Sequence, residues 1–103
     1  MPDYSITKLD ISELELTQLP DDIGNYTNLV KLNVSKNQLT SLDNLPPTLT
    51  YLNCNSNSNK ISNLDYLPLI LEYLDCSYNK ITSLEGLNLP NLQYFYCFYN
   101  KYC

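Results

Sequence analysis

A phrase of eleven residues recurs along this chain, and its spacing restricts the possible folds more than any other feature. Residues 29–39 read Leu-Val-Lys-Leu-Asn-Val-Ser-Lys-Asn-Gln-Leu, and close copies lie at residues 71–81 and 92–102. Weaker copies begin at Ile6 and Leu49, so that successive starts are 23, 20, 22 and 21 residues apart. Self-similarity at such periods is typical of solenoids, which stack one small structural unit per repeat.

The apolar pattern inside each copy predicts a strand. The fourth and sixth positions are apolar and a more polar residue lies between them, which is the alternation of a strand with one buried face. Neighbouring copies are expected to pair as a parallel sheet with strands about 4.8 Å apart. The connections are short and proline-rich, so only residues 20–27 are expected to form a helical turn. The inward-facing pairs are predicted to be Leu9 and Ile11, Leu32 and Val34, Leu52 and Cys54, Leu74 and Cys76, and Phe95 and Cys97.

The ninth position of the strong copies is an asparagine: Asn37, Asn79 and Asn100. Where the chain turns off a strand, backbone groups lose their ladder partners while they are still partly buried. An inward amide can both donate and accept, so it can satisfy these groups in every repeat. The third copy has two extra residues, and either Asn57 or Asn59 takes this position; in the first copy, Leu14 stands there.

The pattern Leu-x-x-Leu-x-[Leu/Val/Cys]-x-x-Asn-x-[Leu/Ile] resembles the leucine-rich repeat family, and the resemblance covers residues 6–102. Residues 23–29 are similar to the longer repeat type, and residues 45–54 are similar to the shorter type of bacterial effectors and large-virus proteins. The resemblance implies an α/β solenoid, a right-handed superhelix with five parallel strands on its concave face and little helix. One domain over residues 1–103 is expected, without a separate C-terminal cap.

Charge and hydropathy exclude several classes of partner. The net charge is −5, with 6 Lys and Arg against 11 Asp and Glu. Nucleic acids and anionic membranes are therefore not expected as partners, because both attract clustered basic residues. The first residues contain no apolar run of the kind found in signal peptides, and no stretch is long enough to span a membrane. A cytoplasmic protein is expected, and action inside a host cell stays open.

Three of the 4 cysteines, Cys54, Cys76 and Cys97, occupy the sixth position of successive copies. A zinc site is not expected, because no fourth Cys or His ligand lies nearby. Parallel side-chain directions also suit disulfides poorly. We therefore expect these three residues to be reduced, buried and metal-free, and no cofactor is expected. Cys103 is terminal and is expected to be exposed, where it could form an intermolecular disulfide.

Acidic residues recur at the start of the connecting segments: Asp43, Asp65 and Glu85 each follow a repeat leucine. Such a column could bind a cation, although a solvated face is the simpler interpretation. No catalytic site is expected, because the chain has 0 histidines and cannot assemble a Ser–His or Cys–His couple.

The outward-facing strand positions change character along the chain, from charged in the N-terminal half to aromatic in the C-terminal half. Exposed surfaces rich in tyrosine are typical of protein-binding regions. A stacking ladder that only stabilises neighbouring strands is the alternative. The candidate protein-binding residues, which we name the aromatic patch, are Tyr51, Tyr73, Tyr78, Tyr94, Tyr96, Phe98 and Tyr99.

The expected function is a protein–protein interaction module that presents a concave leucine-rich-repeat surface to a protein partner. The alternative is a structural or self-assembling repeat fragment without a dedicated ligand. Residues 94–99 form an uncharged, hydrophobic segment with no further repeat after it. Such a strand edge templates pairing with another chain, so a homodimer through antiparallel edge strands is also expected.

Overall fold

The computed structural model describes residues 2–58 and 60–101. The alternative that placed Asn59 in the asparagine column and the expected exposure of Cys103 concern positions outside the described residues. The structure within the described ranges is a single parallel sheet whose strands are joined by irregular crossover segments.

Five short strands follow one another across the sheet in sequence order, and every neighbouring pair is parallel. The strands are β1 (Lys8–Asp10), β2 (Lys31–Asn33), β3 (Tyr51–Asn53), β4 (Tyr73–Asp75) and β5 (Tyr94–Tyr96). A 3₁₀ helix at Ile23–Asn25 lies within the predicted helical turn. The predicted solenoid of parallel strands with little helix is therefore confirmed, and each strand begins at the third position of its repeat.

Hydrogen bonding between repeats continues past the end of each strand. The Cys54 N–H donates to the Asp75 carbonyl at 2.8 Å, and the Cys76 N–H donates to the Tyr96 carbonyl at 2.8 Å. Two residues later, the Tyr78 N–H reaches the Phe98 carbonyl at 2.7 Å. Neighbouring repeats are consequently held in register from the strand into the turn that follows it.

The core lies between the sheet and the crossover segments, and it is complete only in the middle repeats. The strand-core residues of the second, third and fourth repeats are fully buried, as predicted: Leu32, Val34, Leu52, Cys54, Leu74 and Cys76. Those of the two outer repeats are half-buried: Leu9, Ile11, Phe95 and Cys97. The expectation that Cys97 is buried was therefore wrong. Among the described residues, an outer repeat has a neighbour on one side only, so its core face is half covered.

Asn57 takes the asparagine position of the third repeat and is fully buried. Its Nδ2 donates to the Cys54 carbonyl of its own repeat at 2.8 Å and to the Val34 carbonyl of the preceding repeat at 3.3 Å. Its Oδ1 accepts the Leu39 N–H at 3.0 Å. One amide side chain therefore links the closing residue of the second repeat to the strand ends of the second and third repeats.

The same bonds recur in three other repeats and form the predicted ladder of amides. Asn37, Asn79 and Asn100 each donate to the sixth-position carbonyls of their own and the preceding repeat. Their Oδ1 atoms accept from the closing residue of the preceding turn. No buried side-chain nitrogen or oxygen among the described residues lacks a hydrogen-bond partner.

The first repeat departs from the ladder without leaving its turn unsupported. Leu14, in the asparagine position, is exposed, and its N–H donates to Asn37 Oδ1 at 3.0 Å. The Leu16 N–H donates to the same oxygen at 3.0 Å. Because each amide serves the preceding turn, Asn37 supports the first repeat and an asparagine at position 14 is not required for it.

Replacing Asn79 by alanine is expected to destabilise the fold by about 3 kcal/mol. The substitution leaves the Ile61 N–H without its acceptor, and a buried group left unsatisfied costs about 1–3 kcal/mol. It also removes one of the two amide donors to each of the Cys54 and Cys76 carbonyls, which keep Asn57 and Asn100, and each lost hydrogen bond costs about 0.5–1.5 kcal/mol. Urea denaturation followed by circular dichroism measures the loss. The control is Asn91→Ala, an exposed position where a change within about 0.5 kcal/mol is expected. Equal effects of the two substitutions would contradict the role given to the ladder.

Candidate protein-binding surface

Residues at the third position of each repeat, the first residue of its strand, form a straight column across the sheet. In this column, Lys31, Tyr51, Tyr73 and Tyr94 are successive register partners. The rings of Tyr51 and Tyr73 stack with centroids 4.1 Å apart and planes inclined by 6°. Lys31 Nζ lies 4.4 Å from the Tyr51 centroid, as in a cation–π pair. The ring of Tyr94 is tilted by 43° at 6.3 Å from Tyr73. The tyrosine column exists as predicted, but the close stacking stops at Tyr73.

A second aromatic pair lies at the turn that follows the strands. Tyr78 and Tyr99 stack with centroids 4.7 Å apart and an interplanar angle of 16°. Both residues have a positive φ, of 58° and 57°, a conformation that is uncommon for residues with a Cβ. The eighth position is left-handed in every repeat, where the residues are Glu13, Lys36, Ser56, Tyr78 and Tyr99. Glycine and asparagine, which usually mark such positions, are absent from this column. The sequence therefore did not indicate the left-handed conformation at this position.

The aromatic patch is most exposed towards β5. The exposed fractions are 56% for Tyr94, 60% for Phe98 and 73% for Tyr99. Tyr78 and Tyr96 are also exposed, whereas Tyr51 and Tyr73 are half-buried. The ring centroid of Tyr96 lies 5.7 Å from that of Tyr73 and 6.1 Å from that of Phe98, so the rings on the strands form one group. The structure therefore places the seven predicted residues in a strand group and a turn pair.

The fifth position of the repeat has a structural role that was not predicted from the sequence. Oδ1 of Asp75 accepts the Ser77 N–H at 3.0 Å, and Oδ2 accepts Asn55 Nδ2 at 3.1 Å. The same bond from side chain to backbone two residues later recurs at Asp10, Asn33 and Asn53. An Asp or Asn at this position in four consecutive repeats was the available signal, since both residues favour such turns.

The last repeat replaces this bond by one from its neighbour. Tyr96 takes the fifth position there, and the Phe98 N–H donates to Ser77 Oγ at 3.0 Å. The turn remains supported while an aromatic ring occupies the position that holds a polar side chain in the other repeats. The exchange extends the aromatic surface without leaving the Phe98 N–H unsatisfied.

Burial is the main cause of a raised pKa in two groups near the sheet. It raises the pKa of the Cys54 thiol far above its ordinary value, and the nearby charge of Asp75 acts in the same direction. A thiol held protonated is a poor nucleophile. The pKa of Tyr73 is raised to about 12, mainly by burial and also by its hydrogen bond to Tyr51 and the charge of Asp75.

Other kinds of site find little support in the part of the chain that the structure describes. Over residues 2–58 and 60–101, no group of three or more His, Cys, Asp or Glu side chains is arranged to hold a metal ion. The carboxylates of the predicted acidic column, Asp43, Asp65 and Glu85, are all exposed. No helix within these residues is long and apolar enough to cross a membrane.

Alkaline titration is expected to reveal a late phenolate step that belongs to Tyr73. The pKa of Tyr73 in the folded state lies above the ordinary tyrosine value of about 10. The neutral phenol therefore makes its full contribution to the stability of the fold below a pH of about 10. The contribution is lost as the pH rises towards about 12. Ultraviolet absorbance of the phenolate measures the step, which Tyr73→Phe removes and Tyr66→Phe leaves in place. A titration curve with the same late step after Tyr73→Phe would refute the assignment.

Comparison with known proteins agrees with the geometry. Residues 71–102 match a family model described as leucine-rich repeats in two copies. No curated protein matches the chain. The matched segment contains β4, β5 and the asparagines Asn79 and Asn100, and the same strand register and amide bonds extend back through the earlier repeats. The family match over residues 71–102 and the stacked parallel strands together support a leucine-rich repeat protein.

Proposed function

We propose that this chain is a protein-interaction module and that its aromatic patch binds the protein partner. Leucine-rich repeat domains generally mediate protein–protein interaction. The observation that carries the proposal is the exposure of Tyr94 and Phe98 in the strand group and of Tyr99 in the turn pair. Tyrosine anchors are enriched among the residues that dominate binding energy, and they lose little side-chain entropy when a partner covers them.

The exposure of the turn pair supports the same proposal. Tyr78 and Tyr99 occupy left-handed backbone positions, although their rings are 48% and 73% exposed. Smaller polar residues, Lys36 and Ser56, occupy the equivalent positions of the preceding repeats. The turn imposes the left-handed φ in every repeat, so the distinctive feature of the last two is the exposed aromatic ring, which a contact with a partner would explain.

The charge distribution favours a partner that approaches β4 and β5. Outward positions of the first repeats carry Lys8, Asp10 and Lys31, whereas the outward positions of β5 are the uncharged Tyr94 and Tyr96. The centre of an interface is usually depleted of charge and enriched in aromatic residues, and its rim is polar. We therefore place the centre of the interface at β5 and its polar rim towards β2.

The direct test is to capture partners with the wild-type chain and titrate each one against variants. Tyr94→Ala and Tyr96→Ala are each expected to weaken binding by more than about 2 kcal/mol, because both remove an aromatic anchor at the interface centre. Isothermal titration calorimetry measures the change.

Lys31→Ala is the matched control, since residue 31 lies in the same column as Tyr94 but at the opposite end of the patch. Binding is expected to persist in this variant with a small change. If both tyrosine variants bind normally and Lys31→Ala abolishes binding, the partner uses the N-terminal half of the sheet.

Self-assembly through β5 is a second candidate function. β5 pairs with β4 on one side, and no strand formed by residues 2–58 and 60–101 lies on its other side. Phe95 and Cys97 are half-buried at this end of the core, so a second copy docked there would cover apolar surface. We propose antiparallel pairing of two β5 edges as the simplest closed arrangement.

Light scattering over a concentration series tests self-assembly separately from partner binding. The wild-type chain is expected to shift from monomer to dimer as its concentration rises. Phe98→Lys is expected to weaken the dimer, because it places a charge beside the pairing edge. A wild-type chain that stays monomeric throughout the series would sink the dimer and leave the binding proposal intact.

A further inference from the structure

A groove of about 480 Å³ lies between two neighbouring crossover segments, residues 62–69 and 82–89. Leu67, Leu87 and Leu89 supply apolar side chains to its wall, and no lysine is among its lining residues. The groove belongs to the crossover segments and shares no residue with the aromatic patch. Asp65 and Glu85 add two exposed carboxylates.

Tyr66 lines this groove in a backbone conformation that does not suit it. Its φ is 62°, and the residues at the same turn position in the repeats on either side are Asn44, with φ of 61°, and Gly86, with φ of 80°. Glycine and asparagine adopt this region readily, whereas a tyrosine is strained in it. The side chain is 86% exposed, so burial within the fold does not offset the strain.

Leu69, which also lines the groove, and the next residue, Ile70, are exposed apolar residues. They are 68% and 42% exposed, and the aligned residues of the preceding repeat are Pro47 and Thr48. The Thr48 hydroxyl donates to the Leu29 carbonyl at 2.6 Å, a bond that isoleucine cannot make. This crossover has therefore exchanged a bonded polar side chain for exposed apolar ones. Exposed apolar side chains grouped beside a groove favour a binding site there.

We propose that this crossover groove is a second docking site, which takes a protein segment carrying an apolar side chain beside a Lys or Arg. The apolar side chain packs against Tyr66, Leu69 and the leucines of the groove wall. The cation lies against Asp65 and Glu85, which have no basic residue among the other groove-lining residues. Charge complementarity selects this partner over an acidic one, and the net charge of −5 favours the encounter.

Tyr66→Asn separates an effect on binding from an effect on folding, because it is expected to weaken peptide binding without lowering the stability of the fold. Asparagine suits the left-handed turn, so the variant is expected to melt at or above the wild-type temperature. The probe is a fluorescein-labelled amphipathic peptide of leucine and lysine, and anisotropy measures its affinity. The variant is expected to bind at least about tenfold more weakly, since an aromatic anchor is lost. A lower melting temperature or an unchanged affinity would overturn the proposal.

Paired charge variants test the location of the cation. Asp65→Asn with Glu85→Gln is expected to weaken peptide binding strongly. Glu13→Gln with Glu15→Gln removes the same charge from an exposed turn outside the groove and is expected to have little effect. Equal losses in the two double variants would mean diffuse attraction and would refute the site.

Two further controls complete the experiment. A peptide of leucine and glutamate is expected not to bind, and Phe98→Ala, in the aromatic patch, is expected to retain full affinity for the leucine–lysine peptide. Failure of the wild-type chain to bind the leucine–lysine peptide would overturn the proposal, as would equal binding of the acidic peptide. Because the groove and the aromatic patch share no residue, either proposal can fail while the other stands.

Discussion

The amide ladder is the interaction on which the rest of this structure depends. A turn off a short parallel strand leaves carbonyl and N–H groups inside the solenoid, where water cannot reach them. Asn57 and Asn79 satisfy these groups with one side chain each, and they bond across two repeats at once. The strands are only three residues long, so strand pairing alone provides few bonds. The buried amides supply the connections that such short strands lack.

Register is the consequence of the ladder that matters for binding. Because each repeat is fixed to the one before it, residues at one repeat position form straight columns over the sheet. Tyr51 stacks on Tyr73 and Tyr78 stacks on Tyr99 through this alignment. A slip of one residue would turn the aromatic side chains inward and place leucines on the surface. The proposed binding surface is therefore a product of the repeat spacing as much as of its tyrosines.

Much of the fold and the column of aromatic residues could be predicted because both depend on side-chain periodicity. Leu32, Val34 and the asparagines have the pattern that burial requires. The backbone conformation at the turn was not predictable, since Tyr78 and Tyr99 are residues that rarely adopt a positive φ. The half-burial of Cys97 was missed for a different reason: a repeat pattern describes an average turn, whereas exposure depends on the number of neighbouring turns.

Native-state hydrogen exchange tests the central claim most directly, because it reports the protection of each amide. The N–H groups of Leu39, Ile61 and Ile81 donate to asparagine side chains of the following repeats. If the ladder holds the turns closed, these three exchange as slowly as the strand amide of Leu52, through global unfolding. Exchange of the three at the rate of exposed crossover amides such as Leu69 would show that the turns open independently of the strands, so that the amides do not hold the repeats together.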